Sequence, residues 1–363
     1  MARNSVFTNR CVTLQKKLIQ KNIDALFVSN LSNVFYLTGF RGTNAYLLVT
    51  KKSILFYTDF RYKEEAEAVV KHAKIVIYSD SFLSLLFVVF QKKKIVRCGF
   101  ESSSLTYDQF VRFRRGLKGV KLVPQDSIVE ELRIIKDAQE LKTIKKCARV
   151  IERVIHNIRP KIHEGVTEKE VAAEIEYVMR LYGAQKSSFD PIVAFGASTS
   201  CPHAQITNRA LKKGDAIMID AGCIIDGYSS DLTRTFFFNN INARLKKIYH
   251  VVYEAQKKAL DAIRIGVKAS YIDRIAREYI TKSGYGPYFG HALGHGVGIN
   301  VHELPRISSA SDVLLETGMV CTIEPGIYVP RVGGVRIEDM VCVTESGCEL
   351  ITGLSKNLDD CML

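Results

Sequence analysis

Along the first 130 residues the apolar positions switch repeatedly between a spacing of three to four and a spacing of two, which predicts helices and strands in alternation and an α/β layer structure. Leu14, Leu18 and Ile19 fall at helical spacing in a basic segment, whereas 24–29, 45–49 and 53–57 read as strands, with Lys51-Lys52 suiting a short hairpin loop between the last two. A helix over 61–71, a strand over 74–78, a helix over 81–91 and a strand over 95–100 follow. From Ser127 to Arg159 there is no Gly or Pro, so the pattern is compatible with one continuous helix, with Asp137 and Glu140 spaced as a helix start. Pro160, Gly165 and Thr167 then close that helix and open another, running to about Tyr182. The expected boundary lies here, with an N-terminal domain over 1–130 and a larger one over 131–363.

The second domain sets carboxylates inside apolar, strand-like runs. Ala216-Ile-Met-Ile-Asp220 ends in an acid, Asp226-Gly227 is a turn signal, and strand character resumes at Tyr228 to carry Asp231. A hairpin centred between Ile225 and Asp226 would set Asp220 and Asp231 opposite each other. The construction recurs with Glu324 and Glu338, which are equidistant from Arg331. An Asp alone at a strand end is more often a turn or cap residue. Four acids in two matched hairpins would destabilise the fold unless cations neutralised them.

Between the hairpins, His291, His295 and His302 fall within twelve residues. The His291-x-x-x-His295 spacing lacks the zincin Glu, since Ala292 stands there, and Gly294, Gly296 and Gly298 oppose a helix. Those glycines also fail as a dinucleotide fingerprint, because no βαβ unit with a downstream acid follows. His203 lies in an apparent loop. Oxygen-rich ligation with one imidazole favours two divalent ions, Mn²⁺ first, with Co²⁺, Fe²⁺ or Zn²⁺ as alternatives, over soft-metal sites that recruit thiolates. Two such ions can activate a water and polarise a carbonyl.

Composition narrows the classes. With 363 residues, 47% of them hydrophobic, general disorder is excluded. The net charge of +13 asks about a polyanionic partner, but it is uneven: residues 1–130 carry 21 basic and 10 acidic side chains, the remainder 30 and 28. The N-terminal lysines occur in scattered pairs without an RNA-binding motif, so a solvated surface is preferred to nucleic-acid binding. The longest uncharged apolar run, Phe82 to Phe90, is too short to span a bilayer, and the first ten residues lack a signal-peptide core. Nine scattered cysteines without a C-x-x-C pair suit free thiols in a reducing cytoplasm.

The motifs Ile219-Asp-Ala-Gly222, Ser230-Asp-Leu-Thr-Arg-Thr235, Gly294-His-Gly-Val-Gly298, Val301-His-Glu-Leu-Pro305, Ile323-Glu-Pro-Gly-Ile-Tyr328 and Arg336-Ile-Glu-Asp339 stand in an order that resembles the pita-bread metallopeptidases, which include methionine aminopeptidase, aminopeptidase P and prolidase. Asp24-Ala-Leu-Phe-Val28, Val34 to Phe40 and Tyr57-Thr-Asp-Phe-Arg-Tyr62 resemble the creatinase-like N-terminal domain of the Xaa-Pro branch, a domain that methionine aminopeptidases lack. The resemblance implies an α/β (α+β) chain: a creatinase-like domain followed by a pita-bread domain. It implies Asp220 on one metal, His295 and Glu324 on the other, and Asp231 with Glu338 bridging them. Glu324 would also shuttle protons, His203 and His302 would donate hydrogen bonds to the reacting groups, and His291 would lie along the substrate. Arg336 would orient the carboxylates. Asn208 departs from the Asp that relatives often carry after His203. Arg306 matches a prolidase position that faces a dipeptide carboxylate, and short aminopeptidase P-type chains carry it too. The leading expectation is an Xaa-Pro aminopeptidase acting on peptides with proline second. An Xaa-Pro dipeptidase and a non-catalytic binding module are the alternatives, and the chain has lost none of the ligands that such modules usually lose. A cytoplasmic homodimer without a membrane partner is also expected.

Overall fold

The computed structural model describes residues 2–79 and 81–363. By its internal contacts the chain divides into two compact units, Met1–Arg133 and Ile134–Leu363.

The first unit is a six-stranded mixed sheet with helices. Its elements are α1 (Ala2–Gln20), β1 (Ala25–Val28), α2 (Leu31–Thr38), β2 (Tyr46–Thr50), β3 (Ile54–Thr58), α3 (Lys63–Val69), β4 (Lys74–Ile77), α4 (Phe82–Lys93), β5 (Arg97–Glu101), α5 (Tyr107–Gly116), β6 (Lys121–Gln125) and α6 (Glu130–Arg133). The strand order is β4-β3-β2-β1-β5-β6. β2 and β3 pair antiparallel around Lys51-Lys52, whereas β1, β5 and β6 run parallel. All four residues of β1 are buried, as a strand covered on both faces requires. Leu86 and Phe90 of α4 join Ala25, Phe27, Leu48, Leu55 and Tyr57 in one core cluster. On α1, Leu14 and Leu18 are buried while Ile19 is exposed. The periodicity did not announce α2, which is fixed at its ends: the Asn30 side chain accepts from the amides of Ser32 and Asn33, and Gly39 closes the helix at φ +79°.

The second unit carries α7 (Ala138–Ile158), α8 (Glu168–Leu181), α9 (Ala243–Ala262) and α10 (Ala269–Lys282). Helix 127–159 is not continuous. The chain is extended between α6 and α7, where Ile135 bridges Met319 and the Lys136 amide donates to the Gly318 carbonyl at 2.9 Å. Asp137 then caps α7 in a reciprocal capping box with Glu140.

The strands of this unit are β7 (Lys186–Ser187), β8 (Ile192–Phe195), β9 (Ala216–Ala221), β10 (Cys223–Ile225), β11 (Tyr228–Ser229), β12 (Leu232–Phe237), β13 (Gly294–Gly296), β14 (Glu303–Ile307), β15 (Val320–Ile323), β16 (Gly326–Val329), β17 (Gly333–Arg336), β18 (Asp339–Thr344) and β19 (Gly347–Leu350). They form sheets ordered β12-β9-β8, β14-β13-β15-β18-β19 and β11-β10-β7, with β16 and β17 as a separate pair. β9 and β12 are buried at every position; Asp220 lies within β9 and Asp231 immediately precedes β12. All nine cysteines are free. No helix among the described residues is long and apolar enough to cross a membrane.

Candidate metal centre

The first hairpin differs in register from the expectation. Asp226 (φ +52°) and Gly227 (φ +80°) form its two-residue turn, so Ile225 pairs with Tyr228 and Asp220 faces Thr233, two places from Asp231. An offset of two preserves the face to which a side chain points, so both acids still project to the same side. The second hairpin keeps its expected register: Ile323 pairs with Asp339 and Gly326 with Arg336, which sets Glu324 across from Glu338.

The histidine segment holds a short strand rather than an open loop. Strand β13 lies between β14 and β15, and glycines permit the approach. A Cβ on Gly294 would sit 2.0 Å from the Thr322 carbonyl oxygen, and one on Gly296 would sit 2.1 Å from that of Leu304. His295, between these glycines, is thereby aimed at the carboxylates: its Nε2 lies 3.5 Å from Asp231 Oδ2 and 3.4 Å from Glu324 Oε1. Asp231, His295 and Glu338 each offer a ligand atom, all within 4.8 Å of one another.

Electrostatics single out the same cluster. Burial first, then the neighbouring carboxylates, push Asp231 and Glu338 well above the usual carboxylate range. Burial also raises Glu324 to about 8. His295 is lowered to about 4, chiefly by burial and then by His302, so its ring is neutral at pH 7. Its Nδ1 faces the Gly296 carbonyl at 3.1 Å, which leaves the Nε2 lone pair directed at acidic oxygens. Asp220 Oδ1 is buried with no hydrogen-bond partner. Acceptors meeting acceptors in a dry site call for cations. Hard oxygens, one imidazole and no thiolate fit divalent ions of the Mn²⁺ class.

Arg336 ties the cluster to its surroundings. Its Nη2 donates to Asp220 Oδ2 at 2.6 Å, its Nε to Thr233 Oγ1 at 3.0 Å, and its Nη1 to the Tyr328 hydroxyl at 2.9 Å and the Pro202 carbonyl at 3.1 Å. Thr233 in turn donates to Glu338 Oε2 at 2.7 Å. The Tyr328 hydroxyl lies 3.0 Å from His291 Nε2, and His291 Nδ1 lies 2.7 Å from the Ala292 carbonyl. Thus Tyr328 donates to His291, whose own titration burial lowers to about 4.

The remaining expected residues sit at the margin. His302 is exposed, with its ring edge-on to that of His295 at 4.2 Å between centroids. His203 is exposed in the loop that Arg336 holds through Pro202. Arg306 is exposed on β14 directly across from His295, so the two side chains share a face.

Comparison with known proteins places this geometry. Residues 142–345 match the model of metallopeptidase family M24, and residues 10–135 match the creatinase/prolidase N-terminal domain. A Xaa-Pro dipeptidase of Pyrococcus horikoshii is 37% identical over 352 residues, covering 94% of this chain and 97% of the relative. The chain belongs to metallopeptidase family M24. Among solved structures, this M24 peptidase is similar to a Xaa-Pro dipeptidase from Bacillus anthracis, with TM-score 0.95 and 37% identity over 98% of this chain and all of the other. It is also similar to an X-Pro aminopeptidase from Thermotoga maritima, with TM-score 0.87 and 34% identity over 93% of this chain and 97% of the other. The M24 peptidase is therefore a metal-dependent hydrolase. Sequence reasoning missed two residues of its site, Tyr328 and Thr233. Both lie inside the quoted motifs; the available signal was, for Tyr328, a hydroxyl in an otherwise apolar strand and, for Thr233, a place in a run of buried polar residues with Arg234 and Thr235.

Proposed function

We propose that this peptidase is an Xaa-Pro dipeptidase, with the aminopeptidase reading second. The observation that carries this is Arg306, held across from His295 on the same face of the sheet. A guanidinium there suits the free carboxylate of a C-terminal proline, and a longer peptide has an amide in that place. The names of the Pyrococcus and Bacillus relatives support the same choice, while the Thermotoga relative keeps the alternative alive.

Asp220, Asp231, His295, Glu324 and Glu338 would hold two divalent cations, with Mn²⁺ favoured by the donor set. The chemistry such a pair supplies when bound is Lewis acidity and water activation at neutral pH. Glu324 would take a proton from the attacking water and later return one to the proline nitrogen. The nitrogen leaves as a secondary amine as its bond to the acyl carbon breaks. His302 and His203 donate hydrogen bonds to the developing oxyanion and the departing nitrogen. Arg336 holds Asp220, and Tyr328 holds His291, so the donors do not rotate away during the reaction.

Hydrolysis of Xaa-Pro and of Xaa-Pro-Yaa by Mn²⁺-loaded protein tests the assignment. The dipeptide is expected to give the higher kcat/KM. Arg306→Gln should lower it about tenfold to a hundredfold for the dipeptide, the worth of one charge-assisted contact, and leave the tripeptide nearly unchanged. Preference of the wild-type chain for the tripeptide would transfer the reading to an aminopeptidase.

A further inference from the structure

The segment that delivers His291 is gripped from outside the site by an ion pair on α10. Asp273 is fully buried, and its carboxylate forms two bonds with Arg277, from Nε at 2.8 Å and Nη2 at 2.7 Å. The same guanidinium donates from Nη1 to the Phe289 carbonyl at 3.0 Å and from Nη2 to the His291 carbonyl at 2.8 Å. Asp273 Oδ1 also accepts the Leu293 amide at 3.1 Å. Residues 289, 291 and 293 are thus bound to one fork of charge. Ring contacts extend the grip: the Arg277 guanidinium stacks on Phe289 at 4.3 Å, and Phe289 meets the His291 ring edge-on at 5.0 Å. Tyr328 holds the far side of that ring.

We propose that Asp273 and Arg277 are positioning residues for substrate binding: through the Phe289 and His291 carbonyls and the Phe289 ring, they fix the His291 imidazole against the substrate. This rests on the proposed hydrolysis of Xaa-Pro bonds. An (i, i+4) acid and base on a helix surface contribute little. Here the acid is dry, so the pair is held in one geometry and transmits that geometry to a segment with Gly290 and Gly294 at its ends. A bidentate fork is required, because a lysine cannot serve a carboxylate and two carbonyls at fixed angles together. A cavity of about 560 Å³, bordered by Lys268, Ser270, Tyr271, Arg274 and Ser309, opens onto the pair. A small guanidinium compound can therefore reach the space left when the Arg277 side chain is removed.

The test uses the full, metal-loaded chain. Arg277→Ala is expected to raise KM for an Xaa-Pro dipeptide about tenfold or more, with kcat changed less than about threefold and bound metal at the wild-type ratio. Ethylguanidinium at millimolar concentration should bring that KM back toward wild type and leave wild-type kinetics alone. Arg277→Lys keeps the charge beside Asp273 and is the variant to read if Arg277→Ala does not fold. It too should bind metal normally with a raised KM. Wild-type KM in a folded variant, loss of metal together with activity, or a raised Arg277→Ala KM that ethylguanidinium leaves unchanged would each overturn the positioning role. Failure of the underlying reading is distinguishable, since it shows as a wild-type chain that does not cleave Xaa-Pro.

Discussion

Glu338 and Asp339 are neighbours in sequence, almost equally buried, and shifted in opposite directions. Asp339 would be raised by burial, but Arg234 and Lys356 outweigh that and hold it below the usual carboxylate range. It accepts from Arg234 Nη2 at 2.6 Å, Lys356 Nζ at 2.5 Å, Gln256 Nε2 at 3.0 Å and Thr352 Oγ1 at 3.0 Å. Glu338 accepts from Thr233 and looks onto Asp231, Asp220 and Glu324, with Arg336 only partly offsetting their charge. One acid has its cations supplied by the chain. The other is surrounded by acids, and the cations that would balance it must come from solution. Burial of a carboxylate is thus not the mark of a metal centre; burial among more acids than cations is, since Asp220, Asp231, Glu324 and Glu338 share Arg336.

This contrast is broken most severely by deleting a member of the unpaired set. Asp231→Ala or Glu338→Ala should reduce kcat/KM on the order of a thousandfold or more and abolish part of the metal binding, as measured by hydrolysis and metal analysis. Full activity in either variant would sink the two-cation reading. Deleting the paired acid should act on folding instead. Asp339→Ala leaves the fully buried Arg234 without its partner and should lower unfolding free energy by about 3–5 kcal/mol in denaturant titration.

Removing metal sharpens the contrast through pH. Glu324 moves from 4.5 to about 8 in the metal-free fold, and Asp231 and Glu338 move in the same direction. Between those values the native state keeps a proton that the unfolded chain has lost, so stability falls as pH rises through that window. Asp339 has the reverse sign: its contribution is present above its unfolded pKa and is lost as pH falls through its lower folded value. Above the ordinary histidine value of 6.5, where the lowered His291 and His295 no longer add stability with pH, metal-stripped protein should therefore lose several degrees of Tm up to pH 8, each kcal/mol being worth about 2–4 °C in a unit of this size. Mn²⁺ should remove most of that decline. A metal-free Tm that climbs across the same range would contradict the buried-acid cluster.

How much of this was legible depended on whether the cause was local. Alternation put all four acids on inward faces, and the second hairpin's register followed from counting. The first register missed by two because the turn was centred one residue early. Treating Asp226-Gly227 as the central pair, the arrangement its two positive φ angles favour, gives the observed pairing. The break between α6 and α7 had no local signal, since it is made by Gly318 and Met319 about 180 residues away. Asp273 and Arg277 carry no expectation from sequence, since an acid and a base four apart are common on any helix surface. Only the packing of the 289–293 segment over them sets this pair apart.

The smallest expected effects come from two threonines that hydrogen-bond the neighbouring acids. Thr233→Val removes the 2.7 Å donor to Glu338 and the acceptor for Arg336 Nε, and should weaken metal binding roughly tenfold, seen as a higher Mn²⁺ concentration for half-maximal activity. Thr352→Val removes the donor to Asp339 and the acceptor for the Met340 amide, and should lower stability by about 1–3 kcal/mol without shifting the Mn²⁺ requirement. The two substitutions are chemically identical and their targets are adjacent, so size and polarity cancel in the comparison. If both variants shifted the Mn²⁺ requirement alike, the two acids would belong to one electrostatic system. Separate responses are expected, because Asp339 is already neutralised by Arg234 and Lys356 while Glu338 depends on what binds.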